Sequence, residues 1–351
     1  MLNEENKLNI LKPIDLTFLD NIPLTSDSFS YRSLDNAFTV FESIEKILYI
    51  IYANIKNSII FYDLVDNKKK SAIKNAHKTY IINLRHYLDK IYKQNLLISL
   101  SSLDNNLKVW NINSLECYLN LENVNNTGEL YSACLLFNNN NKYIITSNFK
   151  LNSFYIYIKI FDFKGNKINE IDNGRCFFID AYYDKNYSKN YIISCNKGNV
   201  KSFDFNENII YQIYSFNNYN MEDEYNYDYK SAIIKEEKTV KKLISSNDIG
   251  SIVIWDFHYG LHLQTIEVKR GLYNLLGLCL WEDNNYIFVG CSDRSIKLID
   301  LKKGRVIKSL FSHMNEVLTI KKINHPKLGK CLISKSKINE PLKLWAINNN
   351  F

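Results

Sequence analysis

Two histidines four residues apart, His258 and His262 in the stretch DFHYGLH, are the pair most suggestive of metal chemistry in this sequence. On a helix, that spacing places two imidazoles on one face, where they can hold a zinc ion. Here Gly260 lies between them and Asp256 ends a run of alternating apolar residues, so the pair is expected in a hairpin turn. Two side chains in such a turn need not converge, and we expect no metal site.

Motifs for other reaction types are missing from the sequence. It has no phosphate-binding loop of the G-x-x-x-x-G-K type and no G-x-S-x-G nucleophile motif. Acidic residues recur singly after apolar strands, which suits turns and not the pairing that acid–base catalysis uses. These residues are Asp63, Asp162, Asp204, Asp256 and Asp300. We therefore expect no enzyme, no cofactor and no small-molecule substrate.

The cysteines are widely spaced, and none forms a C-x-x-C pair or a Cys/His quartet with zinc-ligand spacing. They are Cys117, Cys134, Cys176, Cys195, Cys279, Cys291 and Cys331. Several lie inside apolar runs, as in YIISCN, which is typical of reduced, buried thiols. The pattern favours a cytoplasmic protein, with a nuclear location left open.

The charge is positive but dispersed. The 351 residues carry a formal net charge of +7, and the basic residues are scattered apart from the run 68–70. Because nucleic-acid binders concentrate positive charge on one face or arm, no nucleic-acid motif is predicted. No stretch approaches the roughly 18 uninterrupted apolar residues of a membrane span, and the first residues lack the pattern of a signal peptide.

The elements that carry these residues recur along the chain. Seven apolar strands each end in an aromatic or large apolar residue, here called the anchor, which stands before an acidic or polar residue in most units. The anchors are Tyr62, Trp110, Phe161, Phe203, Trp255, Ile299 and Trp345. They are separated by 48, 51, 42, 52, 44 and 46 residues, which is the spacing of a repeat array.

Each unit contains four short apolar runs separated by polar turns, with alternation in the anchor strand, as in SIVIWDF. A single four-stranded sheet cannot bury both of its faces, whereas sheets stacked around an axis can. The sequence therefore predicts an all-β, seven-bladed propeller with four-stranded antiparallel blades. The anchors, including Trp255, are expected between neighbouring sheets.

The pattern resembles the WD40 repeat family over roughly residues 40–351, best in DIGSIVIWDF, DRSIKLIDL and DNNLKVWNI. The Gly-His pair that opens many repeats of that family is matched at His77 and His313, with Ala76 and Ser312 in the place of glycine. The resemblance also implies structural roles in turns for Asp256 and Asp293.

The resemblance implies a hydrogen-bond network inside two blades. In the second unit it would join His77, Asp104 and Trp110. In the seventh it would join His313, Asn339 and Trp345. The serine that completes the family's network stands one residue out of register in both units, at Ser99 and Ser334, so the networks are expected to be partial.

The seventh unit is short of one strand, because only INNNF follows Ala346. We expect an N-terminal strand to complete the last blade, and residues 28–34 and 13–19 are the two candidates. The chain is then a single domain, 1–351. Residues 1–36 supply the closing strand, and residues 37–351 form the seven repeats.

The resemblance implies a non-catalytic interaction scaffold or adaptor subunit that binds other proteins within a multi-subunit complex. Residues before the first strand of each unit rim the channel in that family, which indicates Tyr80, Tyr273 and Glu316 as one contact surface. Tyrosine is enriched at interface anchors.

A second candidate surface is the acidic, tyrosine-rich segment 215–230, which interrupts the repeat. Its proposed contact residues are Tyr219, Glu222, Asp223, Glu224 and Tyr225. The alternative functions are a phosphoinositide- or membrane-binding propeller and the substrate-receptor subunit of a larger enzyme complex. The first is weakened because Arg175 and Arg270 are single arginines, where the lipid-binding propellers have a pair.

Overall fold

The computed structural model describes residues 11–15, 37–54, 56–101, 103–122, 124, 129–138, 140–149, 157–206, 209–216, 227–237, 240–269, 273–281, 285–336, 340 and 342–347. These residues form 28 strands, and none of them lies in a helix long and apolar enough to cross a membrane. The strands pair into seven antiparallel four-stranded sheets, called blades 1 to 7. The predicted all-β, seven-bladed propeller is confirmed.

The chain begins with β1 (Leu11–Asp15). Blade 1 contains β2 (Phe38–Glu42), β3 (Leu48–Ala53), β4 (Ile59–Asp63) and β5 (Lys68–Ile73). Blade 2 contains β6 (Ile81–Asp89), β7 (Gln94–Ser101), β8 (Asn106–Asn111) and β9 (Cys117–Leu121). Blade 3 contains β10 (Glu129–Asn138), β11 (Asn141–Phe149), β12 (Tyr157–Asp162) and β13 (Lys167–Asp172).

Blade 4 contains β14 (Cys176–Asp184), β15 (Lys189–Asn196), β16 (Val200–Asn206) and β17 (Ile209–Phe216). Blade 5 contains β18 (Tyr229–Glu236), β19 (Lys241–Asn247), β20 (Ser251–Asp256) and β21 (His262–Glu267). Blade 6 contains β22 (Leu275–Leu280), β23 (Tyr286–Cys291), β24 (Ser295–Asp300) and β25 (Arg305–Phe311). Blade 7 contains β26 (Val317–His325), β27 (Gly329–Ser336) and β28 (Lys343–Ile347), with β1 as its fourth strand.

The ring is closed by β1. The first strands of successive blades contact one another around the whole ring, including β26 of blade 7 against β2 of blade 1. On the outside of blade 7, β1 pairs antiparallel with β28 from Leu11 opposite Ile347 to Asp15 opposite Lys343. The predicted N-terminal closing strand thus starts two residues before the candidate 13–19, and the candidate 28–34 lies outside the described residues.

The anchors are buried in the seams between blades. Each of the seven core clusters draws its residues from two neighbouring blades; Trp255, for example, packs with Tyr191 and Phe216 of blade 4. In six blades the register between the third and fourth strands shifts at the anchor, as between Ile254 and Trp255. Such a bulge increases the local twist and turns the anchor toward the seam.

Two glycines allow blade 7 to approach blade 6 closely. A Cβ atom on Gly290 would lie 2.4 Å from the carbonyl oxygen of Val317, and one on Gly277 would lie 2.8 Å from that of Leu318. Both distances are shorter than a carbon and an oxygen tolerate. Glycine is therefore required where β22 and β23 meet β26.

Four of the five recurring acids cap turns, whereas Asp204 lies within β16 and its Oδ2 is 2.7 Å from Nζ of Lys189. Oδ1 of Asp256 accepts hydrogen bonds from the backbone N–H groups of His258 and Tyr259, both at 2.9 Å. Asp63, Asp162 and Asp300 make the same kind of turn after their own anchor strands. These carboxylates stabilise the hairpin between the third and fourth strands.

Candidate functional site

The two ends of the ring differ in construction. One end, here called the loop end, bears the connections between blades and the turns from second to third strands. The other, here called the turn end, bears the turns from first to second and from third to fourth strands. Binding residues in proteins concentrate on loops that a rigid scaffold positions, and both ends meet that condition.

In blade 2, a buried histidine network fixes the loop that enters β6. Nε2 of His77 lies 2.7 Å from Oγ of Ser99, and Nε1–H of Trp110 donates to the same oxygen at 2.7 Å. Oδ2 of Asp104 accepts from the backbone N–H of Lys78 at 3.2 Å. Burial lowers the pKa of His77 to about 4, although the carboxylate of Asp104 raises it.

In blade 7, the corresponding network includes a buried glutamate. His313 lies 2.7 Å from Oγ of Ser334 through Nε2 and 3.0 Å from Oε1 of Glu340 through Nδ1. Nε1–H of Trp345 donates to Oγ of Ser334 at 2.7 Å. Burial alone would raise the pKa of Glu340, but hydrogen bonds from His313, Ser336 and the N–H of Met314 lower it to about 2.

Two expectations about these networks need correction. Ser99 and Ser334 do not stand out of register, because each bonds both the histidine and the tryptophan of its blade. The carboxylate of blade 7 is Glu340, while Asn339, the residue expected there, lies outside the described residues. The serine and the tryptophan stand 11 residues apart in both blades, so neither blade has an insertion between them. Glu340 follows His313 by 27 residues, as Asp104 follows His77, so the spacing counted from the histidine identifies the acid.

The same networks hold exposed apolar side chains in place at the loop end. Tyr80 is 47% exposed and follows His77 by three residues, and Met314 is 77% exposed and follows His313 directly. Glu340 accepts the backbone N–H of Met314 at 2.8 Å. Leu103 and Phe311 are exposed at this end as well. Tyr80 and Leu103 belong to blade 2 and Met314 to the loop that enters blade 7, and these blades flank blade 1; Phe311 ends β25 of the adjoining blade 6. These four side chains are here called the loop-end sector.

The three residues predicted to rim the channel differ in their exposure to solvent. Tyr80 is exposed and Glu316 is half-buried. Tyr273, however, is only 4% exposed and packs in the core between blades 5 and 6. Its N–H donates to the carbonyl of Asp248 at 2.9 Å, and its backbone pairs with Ile249 as an isolated bridge, so this segment is joined to the loop between β19 and β20 of blade 5. The expectation that Tyr273 contacts a partner was therefore wrong for the folded ring.

Several other predicted residues lie in turns or outside the described residues. Oδ1 of Asp293 accepts from the N–H of Ser295 at 3.1 Å, and Oδ2 lies 3.4 Å from Nζ of Lys297, so Asp293 stabilises a turn. The acidic segment's contact residues fall outside the described residues, as does Arg270. These contact residues are Tyr219, Glu222, Asp223, Glu224 and Tyr225.

The histidine pair is divided between two environments. Nε2 of His258 lies 3.0 Å from Oδ2 of Asp184 in the neighbouring blade. Nε2 of His262 lies 2.8 Å from Oγ1 of Thr265. Within the described part of the chain, no group of three or more His, Cys, Asp and Glu side chains could hold a metal ion.

The central channel is crossed by an arginine that the sequence analysis did not single out. Nη1 of Arg85 donates to the carbonyl of Ile179 at 2.8 Å and lies 3.3 Å from Oδ1 of Asp180, which joins blade 2 to blade 4. The channel of about 280 Å³ is also lined by Lys230 and Lys321. Burial, and then the charge of Arg85, lower the pKa of Lys321. An arginine in the middle of the apolar run IINLRHYL was the available signal.

A second missed feature is a lysine two residues before the anchor in five blades. Nζ of Lys108 donates to the carbonyl of Ala76 at 2.7 Å, and Nζ of Lys343 donates to that of Ser312 at 2.6 Å. Lys159 and Lys201 reach blade-entry carbonyls in the same way. Part of the positive charge is therefore structural, and the recurring K-x-anchor pattern was its signal.

The comparisons with known proteins agree on fold and give no family. No protein-family model matches the sequence, and no curated protein is similar to it in sequence. Among solved structures, 1551 chains match. One is the crystal structure of the computationally designed Ika8 protein, with a TM-score of 0.57 and 14% identity over 89% of this chain and 97% of that chain. At that identity the likeness shows the fold alone.

Proposed function

We propose that this protein is a non-catalytic interaction scaffold of the WD40 type, and that its loop-end sector binds another protein. The proposal rests on one observation: exposed apolar side chains stand on loops that buried hydrogen bonds hold in place. Tyr80 and Met314 project into solvent from the very loops that the His77 and His313 networks hold. A binding surface that is already ordered loses little conformational entropy when the partner docks.

The chemistry of the sector suits a protein partner. Tyrosine and methionine provide large, adaptable contact surfaces, and both residue types are enriched at protein interfaces. His77 and His313 are buried and each lies 2.7 Å from the serine hydroxyl of its blade, so they support the loops from below. The WD40 resemblance agrees with this role, and the buried thiols suit a cytoplasmic or nuclear protein.

A paired-variant pull-down tests the proposal. Tyr80→Ala combined with Met314→Ala should retain the wild-type melting curve, because both side chains are exposed, yet lose most of the proteins captured from the native cell extract. Tyr259→Ala, a matched exposed change at the turn end, should keep them. If the double variant captures the same proteins in the same amounts as the wild type, the loop-end sector is not the contact surface.

A further inference from the structure

The turn end displays a second, separate set of exposed apolar residues. Five turns present such side chains, and one from each turn is here called its tip; Ile91 and Leu261 are exposed beside two of the tips. The tips are Ile44 in blade 1, Tyr92 in blade 2, Tyr187 in blade 4, Tyr259 in blade 5 and Leu328 in blade 7. Ile44 is 87% exposed and Tyr259 is 71% exposed. Isolated exposed apolar residues are ordinary, but their recurrence in five turns at one end of the ring is not.

Four of the five tips stand three residues after a side chain that caps their turn. Oδ1 of Asp89 accepts the N–H of Tyr92 at 3.1 Å, and Oδ1 of Asp256 accepts that of Tyr259 at 2.9 Å. Nδ1 of His325 accepts the N–H of Leu328 at 3.2 Å. In the fourth turn Asp184 accepts from Asn186 at 2.8 Å, one residue before the tip. The tips are therefore displayed on fixed backbone.

Ion pairs across the seams between blades support two of these turns. Asp89 lies 2.5 Å from Nζ of Lys142 in blade 3, and Asp184 lies 3.3 Å from Nζ of Lys241 in blade 5. The ring of Tyr92 lies 4.5 Å from Nζ of Lys142. Both aspartates are buried. These two turns are thus joined to the neighbouring blades.

Lysines surround the tips. Seven exposed lysines in turn-end turns carry no ion pair among the described residues. They are Lys46, Lys90, Lys93, Lys164, Lys185, Lys302 and Lys327. They come from blades 1, 2, 3, 4, 6 and 7, so the positive charge surrounds the ring. The exposed acids of this end that are likewise without an ion pair among the described residues are fewer, namely Glu42, Glu45 and Glu116. The turn-capping Asp162, Asp256 and Asp300 also have no ion pair there, but they are half-buried or buried.

The layout of tips and lysines favours one kind of partner. A short acidic peptide would cover one or two neighbouring turns, whereas the tips are distributed around the ring. Stacking of nucleic-acid bases needs free aromatic faces, but the ring of Tyr92 is covered by Lys142 and that of Tyr187 packs on His258 at 4.8 Å. A flat surface with negative charge can meet all tips and lysines at once.

We propose that the turn end docks onto the surface of an anionic lipid membrane. The apolar tips enter the interface between headgroups and acyl chains, where tyrosine is favoured, and the lysines face the anionic headgroups. Each lysine near such a surface strengthens binding by roughly fivefold. The loop-end sector faces away from the membrane, so a bound protein and the lipid surface occupy opposite ends of the ring.

Vesicle co-sedimentation of the full chain tests this proposal. The protein should sediment with phosphatidylcholine vesicles that contain phosphatidylserine and much less with pure phosphatidylcholine, and added salt should weaken binding because it screens the lysines. Lys90→Gln with Lys93→Gln should lower binding by roughly 25-fold, the product of two lysine contributions. Tyr92→Ser, Tyr187→Ser and Tyr259→Ser together should also lower it.

The control variant is Tyr80→Ser with Met314→Ser at the loop end, which should bind vesicles like the wild type. Equal sedimentation with charged and uncharged vesicles, or unchanged binding in the folded lysine variant, would overturn the proposal. So would binding of poly-uridine or poly-glutamate without binding of anionic vesicles. Because the protein-binding test changes other residues, failure here leaves the loop-end proposal standing, and the reverse also holds.

Discussion

Blades 2 and 7 contain the same His–Ser–Trp hydrogen bonds but differ in two respects. In blade 7, Nδ1 of His313 is bonded to Glu340, whereas Nδ1 of His77 in blade 2 has no hydrogen-bond partner among the described residues. The fourth strand of blade 2 follows the third directly along the chain, while that of blade 7 comes from the N-terminal region. The blade that is held together non-covalently thus has the more complete network.

This difference indicates how the ring is stabilised. Glu340 binds the histidine of the loop before β26, two backbone N–H groups of that loop and the hydroxyl of Ser336 at the end of β27. Hydrogen bonds to a charged group are roughly twice as strong as neutral ones. Blade 7 gains local stability where it lacks a covalent connection. Blade 2 has that connection and retains a weaker network.

The largest effect is expected from removal of the closing strand. Deletion of residues 1–15 should expose β28 as an unpaired edge. We expect loss of soluble monomer, measured by size-exclusion chromatography. Deletion of residues 1–10 leaves β1 intact and should retain the monomer. A monomeric 1–15 deletion with the wild-type melting temperature would show that blade 7 does not depend on β1.

The next effect comes from the anchors. Trp345→Ala in blade 7 should lower the free energy of unfolding by about 3–5 kcal/mol, since the side chain is almost fully buried. Trp255→Ala should cost about as much, although blade 5 has no histidine network and its tryptophan bonds only Ser245 at 3.2 Å. If urea denaturation shows equal losses of unfolding free energy for the two variants, the loss comes from packing. A much larger loss for Trp345 would assign it to the network.

The sequence predicts the strands and seams well because period-2 alternation and the anchor spacing are local and repeated. It fails where side-chain direction depends on contacts outside the strand. Tyr273 stands at a rim position in the sequence, yet its side chain is buried in the core between blades 5 and 6 and its backbone pairs with Ile249. No local pattern contains that information, because Ile249 belongs to the preceding blade.

The exposed residues of the two candidate surfaces were harder to predict, because they come together only in the folded ring. The tips at the turn end do have a sequence signal, an apolar residue three positions after Asp89, Asp184, Asp256 or His325. The signal is short and becomes meaningful only when the ring brings those turns to one end. Asn339 stands six residues before Trp345, as Asp104 does before Trp110, whereas Glu340 stands 27 residues after His313, as Asp104 does after His77. The acid therefore follows the spacing from the histidine and not the spacing from the tryptophan.

Acid should weaken blade 7 through Glu340. Its pKa is lowered from 4.5 to about 2 in the folded state, so its contribution is complete above pH 4.5 and is lost as the pH falls toward 2. That contribution amounts to about 3 kcal/mol. Glu340→Gln should remove this part of the acid sensitivity, measured as the free energy of unfolding against pH. Parallel pH profiles for the two proteins would contradict the assignment.

Blade 2 should respond in a different pH range. The pKa of His77 is lowered from 6.5 to about 4, so the unfolded chain binds more protons between these values and stability falls as the pH drops below 6.5. Between pH 6.5 and 5 the loss should be about 2 kcal/mol. His77→Gln should flatten the profile between pH 6.5 and 4 and leave the loss that Glu340 causes toward pH 2 in place. A flat wild-type profile between pH 6.5 and 5 would exclude a buried, neutral His77.

The smallest effect concerns the hydrogen bond between histidine Nδ1 and a carboxylate, which is present in the network of blade 7 and absent from that of blade 2. Asp104 is one methylene shorter than Glu340, and its Oδ1 has no hydrogen-bond partner among the described residues, as is true of Nδ1 of His77. Asp104→Glu should let the carboxylate reach that nitrogen and stabilise the protein by about 1 kcal/mol, the usual net value of one hydrogen bond. The new bond should also raise the pKa of His77, which nitrogen NMR of the imidazole can measure.

Glu340→Asp in blade 7 is the reverse change and should lower the free energy of unfolding by a similar amount. If Asp104→Glu leaves both the stability and the His77 titration unchanged, carboxylate length does not explain the difference between the blades, and the loop between β7 and β8 would have to hold the acid away from the histidine.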